Sequence, residues 1–251
     1  MKKTALIIFL LATFICSLNA QTVREIFVGS NKAYEKGDYM SAISGYESLV
    51  AQGRESSSLY YNLANAYFKA GKPGLAILNY ERARIFSPAD DDIKFNLEYV
   101  KSSFLQEDQK TKNPLTEFAK SIYDILSINS LGIVFTVVFM LLLISLGVCF
   151  FRKVKFLSHA NFYLGIIVVV VGVWFATKAY QTNLPWAIIV QPDCNIRSGP
   201  GTEYQTGYLI PEGKKVLILR TKEDWVEIGL KEEGIKGWTE NNKIEMILKN
   251  R

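Results

Sequence analysis

Histidine occurs once in these 251 residues and cysteine three times. That scarcity removes most catalytic chemistry at the outset. A Cys–His nucleophile pair needs both groups within hydrogen-bond reach. The single histidine, His159, follows a run of cations between two long apolar segments, while Cys194 lies beyond both segments. There is no H-E-x-x-H, no paired-cysteine metal motif and no glycine-rich phosphate loop. The chain therefore reads as non-enzymatic, with no cofactor and no metal expected. Asp90-Asp91-Asp92 reads as an acidic helix start favoured by the helix dipole rather than as a cation site.

Charge of one sign is equally scarce. The net charge is +5, yet residues 21–113 hold 12 basic and 12 acidic residues. No basic face is implied, so nucleic acid is not an expected partner. Disulfides are missing as well. Cys16 lies in an N-terminal apolar leader and Cys149 in an apolar run, which leaves Cys194 without an intrachain partner.

Two stretches lack charge altogether: Leu131 to Phe151, 21 residues, and Ala160 to Thr177, 18 residues. Each can cross a ~30 Å hydrocarbon core as a helix. Residues 152–159 between them carry Arg152, Lys153 and Lys155 and no acid. The positive-inside bias places that loop in the cytoplasm and both flanking parts outside. Met1-Lys2-Lys3, the apolar Thr4 to Ile15, and Ser17-Leu18-Asn19-Ala20 have the layout of a signal peptide cleaved after Ala20. Leu18 is large for its position, so an uncleaved anchor is the alternative. Ile15 before Cys16 is too bulky for a lipid-attachment site. The compartment expected is a bacterial inner membrane, crossed twice, with both soluble parts periplasmic.

What the sequence does contain is a repeat. Gly37, Ala42, Tyr46 and Leu49 return 34 residues later as Gly71, Ala76, Tyr80 and Ala83. In the second copy Tyr60, Leu63, Ala64 and Tyr67 mark one apolar helix face. Gly71-Lys72-Pro73 breaks that helix, Ala76, Tyr80 and Ala83 form the facing stripe, and Ser87-Pro88 ends it. The first copy is looser, with Gly53-Arg54 in place of the closing proline. A third helix, roughly Asp90 to Gln106, with Ile93, Leu97 and Val100 on one face, is expected to cap the pair. Period and signature residues resemble the tetratricopeptide repeat (TPR), which implies an all-α, protein-docking solenoid over residues 21–108. Some members grip a C-terminal carboxylate with two asparagines and several cations. By that resemblance Asn31 and Asn62 take the asparagine places, but Phe27, Asp92 and Asn96 stand where the cations would be. The expected groove is aromatic rather than basic: Phe27, Asn31, Tyr34, Tyr61, Asn62, Asn65, Phe68 and Phe95. Residues 109–130 follow as a linker, in which Leu115, Phe118, Ile122 and Ile125 share one face of a short amphipathic helix that lies at the interface or packs on the repeats.

After the second apolar span (160–177) and a linker over residues 178–185, residues 186–251 change to short β runs. Expected strands are Trp186–Val190, Val216–Thr221, Trp225–Ile228, Ile235–Thr239 and Ile244–Ile247. Asn195-Ile196-Arg197-Ser198-Gly199-Pro200-Gly201, then Gly213, Trp225-Val226 and Gly237-Trp238, resemble bacterial SH3-like domains, which implies a small all-β barrel. Gly213 and Gly237 read as fold maintenance; Tyr204, Tyr208 and Trp225 are candidates for a ligand groove.

Signal peptide 1–20, repeats, spans 131–151 and 160–177 joined by loop 152–159, and an SH3-like tail together resemble the BatE-type proteins of the Bacteroides aerotolerance (Bat) operons. Asn96-Leu97-Glu98-Tyr99 fits that family too. The resemblance implies membrane-bound partners with von Willebrand A-type domains and a role in envelope stress tolerance. Two functional readings stay open: a membrane-anchored adaptor for proteins, and a peptidoglycan-binding envelope protein.

Overall fold

The computed structural model describes residues 22–105, 114–152, 155–230 and 233–248. The expected signal peptide, its cleavage site and Cys16 lie outside the described residues. Helix α1 covers residues 22–35. It is followed by α2 (Tyr39–Ala51), α3 (Ser57–Lys69), α4 (Pro73–Phe86) and α5 (Asp91–Phe104). The helix ends are written in the sequence. Gly37 and Gly71 adopt φ of 79° and 74°, a left-handed cap that costs glycine nothing. Each closes the same pair of bonds, Gly37 N–H to Tyr34 and Asp38 N–H to Ala33, then Gly71 N–H to Phe68 and Lys72 N–H to Tyr67. Asp38 caps α2, Ser56 caps α3, and Asp90 caps α5 by accepting from the Asp92 and Ile93 amides. The acidic triplet is thus used in starting a helix.

Ala42, Tyr46, Leu49, Leu63, Ala64, Ala76, Ile77, Tyr80 and Leu97 are buried in one core. Ala76, Ala64 and Ala42 are fully buried, and their small side chains set the close spacing of the helices. The amphipathic helix α6 (Pro114–Asp124) comes next, then α7 (Ile128–Arg152) and α8 (Lys155–Asn183). Two helices, Ile128–Arg152 and His159–Asn183, are long and apolar enough to cross a membrane. Phe135 and Phe175 stack between them with centroids 6.1 Å apart. Each edge-packs over a glycine of the other helix, Phe175 on Gly132 and Phe135 on Gly172.

The helices extend past the apolar runs in both directions. Residues 155–159, expected in a loop, begin α8. Lys178 to Asn183, expected in a linker, continue it. Only Leu184 and Pro185 separate α8 from the first strand.

The remaining residues form β1 (Trp186–Ile189), β2 (Cys194–Arg197), β3 (Thr206–Ile210), β4 (Lys215–Lys222), β5 (Trp225–Leu230), β6 (Ile235–Glu240) and β7 (Ile244–Met246). They make one antiparallel sheet in the order β3-β2-β6-β5-β4-β1-β7. The outer strands β3 and β7 close no ladder with one another among the described residues. The sheet is open where the sequence suggested a barrel. At the β7 edge a side chain of α4 takes the carbonyls of Met246, the last residue of β7, and of Ile247 just past it.

Strand β1 ties the two layers together. Successive strand residues face opposite sides. Ala187 and Ile189 join the core of the sheet, whereas Ile188 joins Ile247 in the core of the helices. The sheet therefore packs on α4 rather than hanging free of the helical layer.

Candidate functional site

The 34-residue period recurs as a hydrogen-bond pattern. Tyr46 Oη donates to Asn31 Oδ1 at 2.6 Å, and Asn62 Nδ2 donates to the same oxygen at 3.1 Å. One period later Tyr80 donates to Asn65, and Asn96 Nδ2 lies 3.5 Å from that oxygen and 2.8 Å from Tyr61 Oη. The ring contacts repeat too: Phe27 meets Tyr46 edge-on at 5.8 Å, and Tyr61 meets Tyr80 at 5.9 Å. Burial, with the charge of Tyr34 nearby, pushes the Tyr46 phenol up to about 12, so it keeps its proton and acts as a donor. The asparagines are thereby engaged in holding neighbouring helices in register.

Phe27, Tyr61 and Phe95 occupy equivalent places on α1, α3 and α5, the first helices of successive units. The first two are half-buried, because α2 and α4 supply Tyr46 and Tyr80 against them. Phe95 is 70% exposed; the place one period after Tyr80 is Pro114, which has no ring to set against it. Tyr99, one turn on, is exposed and packs edge-on against half-buried Phe68, as does Phe104. Tyr34, also half-buried, packs on Tyr39. The structure thus gathers the candidates of α1, α3 and α5 on one side of the helical layer. Phe95 offers the largest free surface among them, and Tyr99 and Phe104 join it although the sequence did not single them out. Their signal was available: Tyr99 repeats the place of Asn65 one period later.

On the sheet, Arg197 organises the other candidates. Its Nη1 donates to the Thr202 and Tyr204 carbonyls at 3.0 and 2.9 Å, and its guanidinium lies 6.0 Å from the centre of the Trp225 ring. Tyr204 lies over Gly199, where a Cβ would meet its ring at 2.5 Å. Tyr208 stands exposed on the outer strand β3. Cys194 is buried in the sheet core beside Thr239 Oγ1 at 3.2 Å. Burial raises its thiol pKa above the ordinary value, which keeps it a protonated core residue. Among the described residues no group of three His, Cys, Asp or Glu side chains is placed to share a metal ion.

The most highly organised polar site is the seam between α4 and the sheet. Helix α4 has Pro73 at its start and no side-chain cap of its own. Glu212, from the turn between β3 and β4, provides one: the Gly74 amide donates to its Oε1 at 2.8 Å. An anion there answers the helix dipole and an orphan amide together. The approach is too close for side chains, since a Cβ on Gly74 would meet the Ile189 carbonyl at 2.7 Å. Gly213, with φ of 87°, sits against Ile77, so its role includes this seam and not only its own turn.

Two turns along, Glu81 is buried, its side chain 3% exposed. It pairs with Lys101 of α5 at 2.7 Å, Lys215 of β4 at 3.2 Å and Arg84 at 2.7 Å. Burial alone would raise its pKa. The three cations outweigh that and hold the carboxyl well below its ordinary 4.5. Lys215 responds the other way: its own burial, with Arg84 and Lys101 nearby, outweighs its share of Glu81 and lowers its pKa. One anion is being divided among three cations. Beside it Arg82 donates through Nε to the Ile247 carbonyl and through Nη2 to the Met246 carbonyl and Glu245 Oε1, each at 2.9 Å. Sequence reasoning passed over Glu81 and Arg82 because they lie between signature positions. The departure from the repeat was visible, however, since the first copy has Glu47-Ser48 where the second has Glu81-Arg82.

No family model matches this chain, and no curated protein matches it.

Proposed function

We propose that this chain is a non-catalytic, membrane-anchored adaptor whose helical repeats dock a protein partner. The observation that carries the reading is the aromatic face of α1, α3 and α5, which lies apart from the α4 surface used by the sheet. Large apolar side chains exposed together, as Phe95, Tyr99 and Phe104 are, mark an interaction surface more often than isolated ones do. Aromatic anchors are also the residues that most often dominate binding energy. The repeats are of TPR type and the sheet is of bacterial SH3-like type in this reading. Both lie outside an inner membrane, and the partners are membrane-bound proteins, with the von Willebrand A-type Bat proteins first among them.

Phe95→Ala with Tyr99→Ala tests it. Both side chains are exposed, so the full chain should melt within a degree or two of its original temperature, while crosslinked membrane partners are lost. Unchanged partner capture by the double variant would remove the groove from the proposal. The rival, a peptidoglycan binder acting through the face around Arg197, Tyr204 and Trp225, is tested on the same material. Partner loss on wall digestion alone, with all side chains intact, would decide for the rival.

A further inference from the structure

A cavity of about 810 Å³ lies where α4, α6, the outer end of α8 and β1 meet. It falls in the range of pockets that hold small ligands. We infer that this cavity binds the phosphate-bearing headgroup of an anionic lipid. Three independent features point there.

The first is charge. Arg84, Lys178 and Lys215 line the cavity along with Glu81 and Asp124, and Glu81 also answers Lys101 from behind. Three cations thus line the cavity against two carboxylates, and with Lys178 paired to Asp124 at 3.8 Å, the excess falls on Arg84 and Lys215, which share Glu81 with Lys101. Such a surplus is relieved by an anion.

The second is depth. The wall includes Ala176, Thr177 and Tyr180, which belong to the last turns of a helix apolar enough to span a bilayer. Tyr123 and Trp186 also line it. Tyrosine and tryptophan collect at the headgroup level of membranes.

The third is α6. Its residues Leu115, Phe118 and Ile122, with Ile125 just past its end, are exposed. Its last turn is fastened to α8: Lys178 Nζ donates to the Tyr123 and Leu126 carbonyls at 2.8 and 2.7 Å. A helix pinned at the end of a span with an uncovered apolar face suits the acyl–headgroup boundary. Lipid is then the medium beside the cavity, and its phosphate reaches the cations while its chains stay beside α8.

The inference rests on α7 and α8 spanning a membrane, which the reporter fusions described below test separately. The experiment uses the full chain in nanodiscs of phosphatidylcholine containing a fifth of phosphatidylglycerol, followed by native mass spectrometry of the lipids retained on release. Phosphatidylglycerol should be enriched several-fold over its share. Removing a cation with Arg84→Gln or Lys215→Met should lower that enrichment by about fivefold each, as expected for one basic residue near an anionic surface. Because both residues also serve the seam, Ala176→Phe is the second variant. It narrows the cavity beside α8, leaves every charge in place and should cut the enrichment without moving the melting temperature. Retention of the two lipids in their nanodisc proportions, or enrichment unchanged in Ala176→Phe, overturns the inference. Displacement of the lipid by millimolar inorganic phosphate overturns it as well, and assigns the cavity to a soluble phosphate.

Discussion

At the scale of single residues, Glu81 concentrates the electrostatics of the molecule. Breaking a buried ion-pair network by removing one partner leaves uncompensated charge in a dry place, at a cost of roughly 3–5 kcal/mol. Glu81→Gln removes the only anion that Lys101, Lys215 and Arg84 share in their salt bridges among the described residues, so its cost belongs at the upper end. Chemical denaturation of the full chain should show an earlier transition for the variant. A loss under about 1 kcal/mol would mean that the carboxylate is hydrated and not the centre of the network. The pH dependence has a definite sign. Glu81 has a lower pKa folded than unfolded, so its stabilisation is complete above the unfolded value near 4.5 and fades as pH falls toward the folded value. The seam should therefore survive mild acid and open only well below 4.5. Lys215 works oppositely: its folded pKa is depressed, so its charged form costs stability below that value, and the cost fades as pH rises from there toward the ordinary 10.5. Hydrogen exchange of the β1 amides across a pH series should reveal loss at the acid end. Opening already between about pH 5 and 6 would contradict the depressed carboxyl.

At the scale of elements, α4 has two working faces. One carries Ala76, Tyr80 and Ala83 into the helical core; the other presents Gly74, Ile77, Glu81 and Arg82 toward the sheet. Ala76→Leu overpacks the first face and should cost about 1–3 kcal/mol, read from the unfolding midpoint; an unshifted midpoint would displace the repeat register. Gly74→Ala acts on the second face. Alanine favours an isolated helix over glycine by about 1 kcal/mol, yet here its Cβ would strike the Ile189 carbonyl. Faster amide exchange in β1 and β7 is expected, with α2 and α3 unchanged. The first face was legible in the sequence and the second was not. Repeated residues announce what each unit needs internally, such as Ala42 and Ala76 or Tyr46 and Tyr80. A contact made once, such as Arg82 with the Ile247 carbonyl, has no second copy to announce it. The strands divide the same way. β5 and β6 were legible as strands, while β2 was hidden in the run read only as a resemblance to bacterial SH3-like domains. Four of the five residues of β3 are exposed, so it shows no buried face to find.

At the scale of the whole molecule, the topology is the first thing to settle by experiment. An alkaline phosphatase fusion after Arg251 should be active and one after Lys155 inactive. Equal activity, or the reverse, rules out two spans with both soluble parts outside. The sequence made the apolar runs plain because hydrophobicity over eighteen or more residues is a strong signal. It misplaced their ends, because Lys178, Tyr180 and Gln181 look like a polar exit from the helix although Lys178 is consumed in fastening α6.

That short junction has a mechanical consequence. The chain passes from α8 through two residues into β1, and β1 is clamped to α4; on the other side α6 is latched to Lys178. The soluble part is thus fixed to the bundle at two points, like a gate hung on two hinges rather than a float on a line. With the junction that short, a pull applied at Phe95 is expected to reach α8 rather than be absorbed by a linker. If the proposed adaptor role holds, spin labels at exposed positions of α5 and near residue 152 should report correlated displacements on addition of a captured partner. Independent movement of the two labels would show that the junction is slack.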